Sequence, residues 1–302
     1  MSELETNSQY RCGYAAIVGR PNVGKSTLLN YILGQKISIT SRRPQTTRHR
    51  ILGIKTTDDY QAVYLDTPGL HLGAKKAMNR YLNRAVGDAL NDVDIAIFVV
   101  DGLKWTEEDQ WVLKRLESVN APVLLVINKI DKIDKEALLA HIAKLSAMGD
   151  FRSIIPLSAR QGENVAALEQ EVQTLLPYNA PFFPEDQVTD RSMRFMAAEV
   201  VREKLMRRLG QELPYAMTVE IESFEDKAGV AHIGAVIWVE RSGQKAIVIG
   251  KGGENLKEVG KQARLDLQSI MDQKVFLRLW VKVKEGWSAD ERALRSLGYG
   301  DD

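Results

Sequence analysis

Gly19-Arg20-Pro21-Asn22-Val23-Gly24-Lys25-Ser26 is the stretch whose reading decides the fold. A short apolar run, Tyr14 to Val18, precedes it and reads as a buried strand, and Thr27 to Leu33 follows as the first turns of a helix. Strand, Gly-x-x-x-x-Gly-Lys-Ser, helix is the context of a phosphate site. Gly19 and Gly24 let the backbone curl so that successive N–H groups face phosphate oxygens. The helix N-terminus adds the positive end of its dipole. Lys25 brings a full charge to the β- and γ-phosphates, and the Ser26 hydroxyl can ligate Mg²⁺. The octapeptide alone would also fit a Gly-rich turn that binds nothing, so its partners along the chain matter.

The first partner is the polar, aperiodic stretch Lys36 to Arg50, too long for a tight turn. It holds Gln45-Thr46-Thr47-Arg48-His49, where a threonine can supply a second Mg²⁺ ligand once a γ-phosphate draws the loop in. Next, Arg50 to Thr56 and Gln61 to Leu65 flank Thr57-Asp58-Asp59-Tyr60 and read as a hairpin. The second strand ends in Asp66-Thr67-Pro68-Gly69. Asp66 can hold a Mg²⁺-bound water, and Gly69 leaves its amide free to approach the γ-phosphate. Leu70 stands where signalling GTPases place a glutamine, and its side chain cannot orient water. A cation beside the phosphates, the switch loop or a partner must then do so, and Asn22 can offer K⁺ an amide oxygen.

Pro122 to Ile127 is an apolar strand ending in Asn128-Lys129-Ile130-Asp131. The Asp131 carboxylate can accept from guanine N1–H and its 2-amino group, a donor pair adenine lacks. Lys129 can lay its stem over the base, and Asn128 can tie this loop to the phosphate loop. Ser153 to Leu157 reads as another strand, closed by Ser158-Ala159, where a small residue lets a backbone N–H approach guanine O6. Helical patterns at 75–91, 106–119, 134–147 and 162–176 separate these strands. Thr106 is the expected N-cap of the second, with Asp109 as its acidic partner. The sum is a doubly wound α/β domain with ligands at the carboxyl ends of the strands.

With 302 residues, the chain has room for two domains. A formal net charge of +1 announces no global basic field, so any nucleic-acid site must be local. Cys12 is the single cysteine, which excludes an intrachain disulfide and points to a reducing compartment. The acidic, polar start and the lack of any span-length apolar run read as a soluble, intracellular protein, open to peripheral membrane contact. Residues 1–12 read as a flexible terminus and 13–178 as the first domain. Residues 179–190, in a proline-bearing stretch, read as a semi-extended linker, with the second domain over 191–302.

In that second half, Met193 to Leu209 has helical spacing, with Arg202, Lys204, Arg207 and Arg208 read as a solvated basic face. Two strand-like segments follow, Tyr215 to Phe224 and Val230 to Arg241. The run Ala246-Ile247-Val248-Ile249 leads into Gly250-Lys251-Gly252-Gly253, and a long helical pattern starts at Glu254. Such a Gly-x-x-Gly loop lets amides approach a nucleic-acid backbone, as in KH modules, which clamp about four nucleotides. From Arg241 to Lys284 there are ten Lys and Arg against four Asp and Glu, a basic stripe around the loop. Trp280 and Trp287 are expected in the core rather than as base-stacking platforms. The tail from Trp287 to Gly298 reads as a short helix ending at glycine.

These residues together resemble the bacterial Era GTPases over nearly the whole chain. GRPNVGKSTLLN from Gly19, QTTRHR from Gln45, DTPGL from Asp66, NKID from Asn128 and the Ser158-Ala159 pair carry the resemblance in the first half. FPEDQVTDRS from Phe183, VIGKGG from Val248 and WVKVKEGW from Trp280 carry it in the second. The resemblance implies a P-loop GTPase domain followed by a smaller α+β type II KH domain, with GTP, GDP and Mg²⁺ as ligands. Ser26 and Thr47 would ligate Mg²⁺, Thr46 being the substitute, with Asp66 in the outer shell and slow intrinsic hydrolysis. Lys25, Thr47 and Gly69 would serve catalysis. Ile249, Gly250, Lys251, Gly252, Gly253 and Lys257 would meet RNA. The implied partners are the 3′ region of 16S ribosomal RNA and the 30S subunit, whose assembly such a switch assists. A cytoplasmic monomer with a peripheral inner-membrane pool completes the expectation. The alternatives are a membrane-surface signalling GTPase whose second domain binds lipid or protein, and a tRNA-modifying GTPase. The latter would need a helical insertion and a C-terminal cysteine that this chain does not carry.

Overall fold

β1, Arg11–Val18, lies inside a six-stranded sheet and is buried from Ala15 onward. The computed structural model describes residues 9–41, 43, 45–70, 77–102, 104–210, 213–297 and 299. After β1 come α1 (Lys25–Leu33), the hairpin strands β2 (Ile51–Thr56) and β3 (Tyr60–Asp66), and α2 (Ala77–Asn91). The strands β4 (Ile95–Asp101), β5 (Val123–Asn128) and β6 (Ser153–Leu157) then alternate with α3 (Glu107–Leu116), α4 (Lys135–Ser146) and α5 (Val165–Leu175). The sheet order is β2-β3-β1-β4-β5-β6, parallel throughout except for β2. Chain order reverses around β1, so the loop leaving it sits at the switch point of a doubly wound sheet. Local rules fix the helix starts: Thr106 and Asp109 form a reciprocal capping box on α3, and Asp134 caps α4 through the Ala137 amide.

Two compact units emerge. The first takes Met1–Ser38, Thr47–Gly73 and Leu82–Asp190; the second takes Ile39–Thr46, Ala74–Tyr81 and Arg191–Asp302. In the second unit, α6 (Met193–Arg208) precedes the antiparallel pair β7 (Met217–Lys227) and β8 (Val230–Val239). Then α7 (Ser242–Ile249), α8 (Glu254–Met271) and β9 (Lys274–Val283) follow, with β9 parallel to β8. The sheet order is β7-β8-β9, and the inner residues of all three strands close a core with α6 and α8. A short helix, α9 (Glu291–Ser296), ends the fold. Among the described residues, no helix is long and apolar enough to cross a membrane.

Several expectations differ from this architecture. Arg11 and Cys12 are strand residues, not a flexible end, because Arg11 ties down to the Leu176 carbonyl and β1 pairs with β3; residues 1–8 lie outside the described ones. The linker stretch 179–190 is pinned to the first unit. Gln61 binds the backbone of Phe182 and Phe183, Ile54 N–H donates to Val188 O at 2.8 Å, and Phe182 stacks on Tyr14 at 5.2 Å. It thereby covers the open edge that β2 would present. The domains are not contiguous in sequence, since the segment Ile39–Thr46 belongs to the second unit. Arg202 and Lys204 are buried rather than solvated, because acidic partners Glu199, Glu203 and Asp266 face them. Trp287 is a core residue as expected, but Trp280 is 43% exposed, since it points to the outer side of β9. The tail helix starts later than expected: residues 285–289 form turns around Gly286 (φ 64°), and Asp290 opens α9. Gly298, its expected stop, lies outside the described residues.

Candidate functional site

The phosphate loop is built from backbone positions that only its own residues tolerate. Gly24 has φ 108°, and a Cβ there would lie 2.2 Å from Asn128 Nδ2. A Cβ on Gly69 would meet Pro21 at 2.7–2.8 Å, so the segment after β3 approaches the loop backbone to backbone. Asn22 adopts the left-handed conformation at φ 64°, which asparagine tolerates better than most side chains, and is exposed. The buried Lys25 ammonium donates to the carbonyls of Gly19 at 2.9 Å and Arg20 at 3.0 Å. Burial pulls its pKa down to about 8 against the opposing pull of Asp66. Arg20 is held by Asp109 at 3.0 Å, so the capping box of α3 also braces the loop. Val23 is buried, and its carbonyl accepts from Asn128 Nδ2 at 2.7 Å.

Three of the predicted metal-site residues come together. Ser26 Oγ lies 2.7 Å from Asp66 Oδ2 and 2.8 Å from Thr47 Oγ1, while Ser38 Oγ donates to the same Asp66 oxygen at 2.8 Å. Asp66 is fully buried, and its Oδ1 has no hydrogen-bond partner. Burial pushes this carboxyl up, with the Ser26 hydrogen bond and the Lys25 charge pulling it back down. A buried carboxylate oxygen without a partner, among hydroxyls only, is a hard all-oxygen donor set that fits Mg²⁺. Among the described residues, no group of three or more His, Cys, Asp and Glu could hold another metal. Thr46 is turned away, its hydroxyl donating to the Arg43 carbonyl at 2.7 Å, so Thr47 and not Thr46 faces the cluster. Arg48 is buried and His49 half-buried behind it; Gln45 sits at φ 56°. Thr67 donates back to Ile17 O at 2.8 Å, Pro68 and Leu70 are buried, and the Leu70 amide points to Gly19 O. Thr27 is half-buried on the first turn of α1.

The base-reading residues gather at the ends of β5 and β6. Lys129, at φ 69°, donates to Asn22 O at 2.7 Å and to Asp101 at 2.6 Å, so its stem spans the gap to the phosphate loop. Ile130 and Asp131 form a single 3-10 turn, and the half-buried Asp131 accepts from Ser158 Oγ at 2.7 Å. Ser158 therefore orients the carboxylate. The amides of this pair behave differently from the expectation. Ser158 N–H donates to Glu163 O and Ala159 N–H to Asn128 Oδ1, both at 3.0 Å, so neither is offered to guanine O6. Asp101 was not singled out in the sequence; its signal was the Val-Val-Asp-Gly end of an apolar strand adjacent to β5.

A second site lies wholly in the second unit. The apolar run ending at Ile249 forms the last turn of α7 rather than extended chain, and Gly250-Lys251-Gly252-Gly253 links it to α8. Gly252 and Gly253 sit at φ 64° and 82°, and a Cβ on either meets nothing within 4 Å, so the loop stands open. Lys251 and Lys257 are exposed and Ile249 half-buried. Asn255 ties the loop down, donating to Ile247 O at 3.0 Å and accepting from Arg208 at 2.9 Å. Beside the loop runs a cleft of about 950 Å³ between α8 and β9. Leu256, Leu277 and Leu279 give it an apolar lining, and four cations, Arg208, Lys257, Lys261 and Arg264, outnumber Glu254 and Glu258 on its walls and leave it net positive. Phe276, 42% exposed, closes one side under Arg278, whose guanidinium is 5.0 Å from the ring centroid. Lys261, Arg264 and Phe276 were missed in the sequence. The i, i+4, i+7 spacing of Lys257, Lys261 and Arg264 on one helix is the signal that would have found the first two.

The comparisons agree with this division. Residues 14–129 match the family described as 50S ribosome-binding GTPase, and residues 212–288 match the KH domain. GTPase Era of Pseudomonas fluorescens (strain Pf0-1) is 60% identical over 298 residues, covering 98% of this chain and 99% of that protein. GTPase Era of Pseudomonas putida (strain W619) is 59% identical over 299 residues, 99% of this chain and 100% of that one. Among solved structures, Era in complex with MgGDPNP and nucleotides 1506-1542 of 16S ribosomal RNA superposes with a TM-score of 0.94 at 38% identity, covering 97% of this chain and 100% of that chain. A single-site variant of Aquifex aeolicus Era bound to GDP.AlF4- superposes with a TM-score of 0.92 at 38% identity, over 96% and 100% of the two chains.

Proposed function

This chain belongs to the Era family of GTPases, and on that premise we propose that it is a nucleotide-controlled switch that takes the 3′ region of 16S ribosomal RNA into its KH domain and assists assembly of the 30S subunit. The observation that carries the reading is the coexistence, in one chain, of the Ser26–Thr47–Asp66 oxygen cluster and the open Gly250–Gly253 loop beside a basic cleft. The relative solved with a GTP analogue and that RNA segment supports the partner.

Ser26 and Thr47 would hold Mg²⁺ directly and Asp66 would hold it through water; bound there, the ion would supply positive charge to offset the charge that develops on the phosphate oxygens. Lys25, released from the Gly19 and Arg20 carbonyls, carries its charge to the same oxygens. The Gly69 amide approaches the γ-phosphate because no side chain keeps it from the phosphate loop. Asp131, aimed by Ser158, accepts from the guanine edge. No glutamine follows Gly69, since Leu70 is buried there instead. The attacking water is oriented by other means, and Asn22, exposed in the phosphate loop, lends an amide oxygen to K⁺. GTP turnover is therefore expected to run faster in K⁺ than in Na⁺ at equal ionic strength; equal rates would remove K⁺ from the account.

Backbone amides of the loop and Lys251 meet phosphates, while in the cleft beside it Lys257, Lys261 and Arg264 track the strand and Phe276 stacks on a base. The test is pulldown of small-subunit RNA by the purified protein, run against flotation with anionic vesicles. Capture of the RNA without flotation is expected. Flotation without RNA capture would favour a membrane-surface GTPase instead.

A further inference from the structure

α6 ends on two exposed arginines with different partners. Arg207 pairs with the Glu203 carboxylate at 3.0 Å. Arg208 has a neutral partner: its Nε donates to Asn255 Oδ1 at 2.9 Å. Among the described residues no carboxylate pairs with Arg208, although Glu254 and Glu258 line the same cleft. Glu258 accepts from Gln262 at 2.7 Å instead. A cation suits the negative end of the α6 dipole, but that alone would leave its side chain loose in solvent. Asn255 fixes it. This residue is half-buried on the first turn of α8 and uses both ends of its amide. Its Nδ2 donates to Ile247 O at 3.0 Å, which leaves Oδ1 for Arg208. The same side chain lies against the loop: a Cβ on Gly250, φ 77°, would sit 2.9 Å from Asn255 Nδ2. One amide thus holds the last turn of α7, the start of the Gly250–Gly253 loop and the Arg208 guanidinium.

A guanidinium carries its N–H donors in a rigid planar fork. With Nε engaged by Asn255, both terminal amino groups of Arg208 keep their donors. A carboxylate in place of the Asn255 amide would cancel the charge; the amide orients the group and leaves the charge intact. A cation held this way, on the wall of a cleft and tied to a loop whose amides face outward, suits a phosphate, which takes two N–H donors at once. We propose that Arg208 is a phosphate-binding residue of the cleft, aimed by Asn255 at the RNA strand where it passes the Gly250–Gly253 loop. The assignment rests on the cleft being an RNA site, as proposed above, and adds to it a contact from α6, outside both the loop and α8. Its target is the sugar–phosphate backbone, so Arg208 adds affinity and register without reading bases.

The test measures binding of an RNA spanning the 3′ end of 16S ribosomal RNA to the full-length protein across a salt series, with a thermal melt of each variant to check the fold. Arg208→Gln should bind about tenfold more weakly at low salt, and the slope of log affinity against log salt should flatten by about 0.7 units, one phosphate contact on a single strand. Arg208→Lys keeps the charge but not the fork, so it should hold the slope and recover only part of the affinity. Asn255→Ala should cost about fivefold in the unmodified protein but about twofold or less in the Arg208→Gln background, because residues that act through one another are not additive. Unchanged affinity and slope in Arg208→Gln overturns the inference. A loss of affinity with the slope unchanged also overturns it, since Arg208 would then only prop the loop. Additive losses in the double variant would remove Asn255 as the orienting group. Failure of the underlying reading looks different: Lys251→Asp combined with Gly252→Asp would then leave RNA binding intact as well.

Discussion

Asp131→Asn is expected to cost the protein its preference for guanine nucleotides. The carboxylate accepts only, so on the proposed reading it can take both guanine N1–H and the 2-amino group, and Ser158 Oγ, which donates to its Oδ1 at 2.7 Å, holds it in place. Hydrogen bonds to a charged group contribute roughly 1.5–3 kcal/mol each. Removing the charge from the bond to N1–H and setting donor against donor at the 2-amino group should weaken GDP binding by about two to four orders of magnitude. An asparagine can still accept from N1–H but turns a donor toward C2. It therefore suits xanthine, whose C2 carries a carbonyl, and XDP should gain affinity as GDP loses it. The measurement is equilibrium competition of GDP, XDP and ADP against a fluorescent nucleotide. A variant that keeps the unmodified protein's GDP-to-XDP ratio would mean that another group reads the base.

Lys251→Asp combined with Gly252→Asp should abolish most RNA binding while leaving the fold in place. The loop is exposed at both positions, and a Cβ on Gly252 meets nothing within 4 Å. Its φ of 64° is one that aspartate tolerates better than most residues, so the strain is of order 1 kcal/mol. Two carboxylates at the point where amides approach phosphates invert the local charge. RNA affinity should fall about 100-fold at low salt, and the slope of log affinity against log salt should flatten by about one unit for the lysine lost. Gel shift across a salt series reads both, and a thermal melt checks the fold. Unaltered affinity and slope would move the RNA site away from this loop.

How much of this was legible in the sequence depends on how local the determining physics is. The phosphate loop, the Asp66 turn and the Asn128–Asp131 turn announced themselves because each sits at the end of a short apolar strand, and glycine marks where backbones must approach. The α3 capping box was legible for the same reason, since Thr106 and Asp109 are three residues apart. What escaped depended on partners far along the chain. Arg202 and Lys204 look like surface charges until Glu199, Glu203 and Asp266 close over them. The linker around Phe182 reads as free chain, yet Gln61, more than a hundred residues earlier, holds it on the sheet. Asp101 is invisible as a site residue until β4 and β5 pair and bring it to Lys129. Phe276 and Trp280 alternate with buried residues on β9, and only the sheet order decides which side is covered.

A nucleotide-controlled RNA switch must hold its RNA differently in its two nucleotide states. The direct measurement is the affinity of the full-length protein for an RNA spanning the 3′ end of 16S ribosomal RNA, taken once with a non-hydrolysable GTP analogue and Mg²⁺ and once with GDP at the same salt. A difference of about fivefold or more, lost in Thr47→Ala, is the predicted result. Identical affinities in the two states would contradict the account.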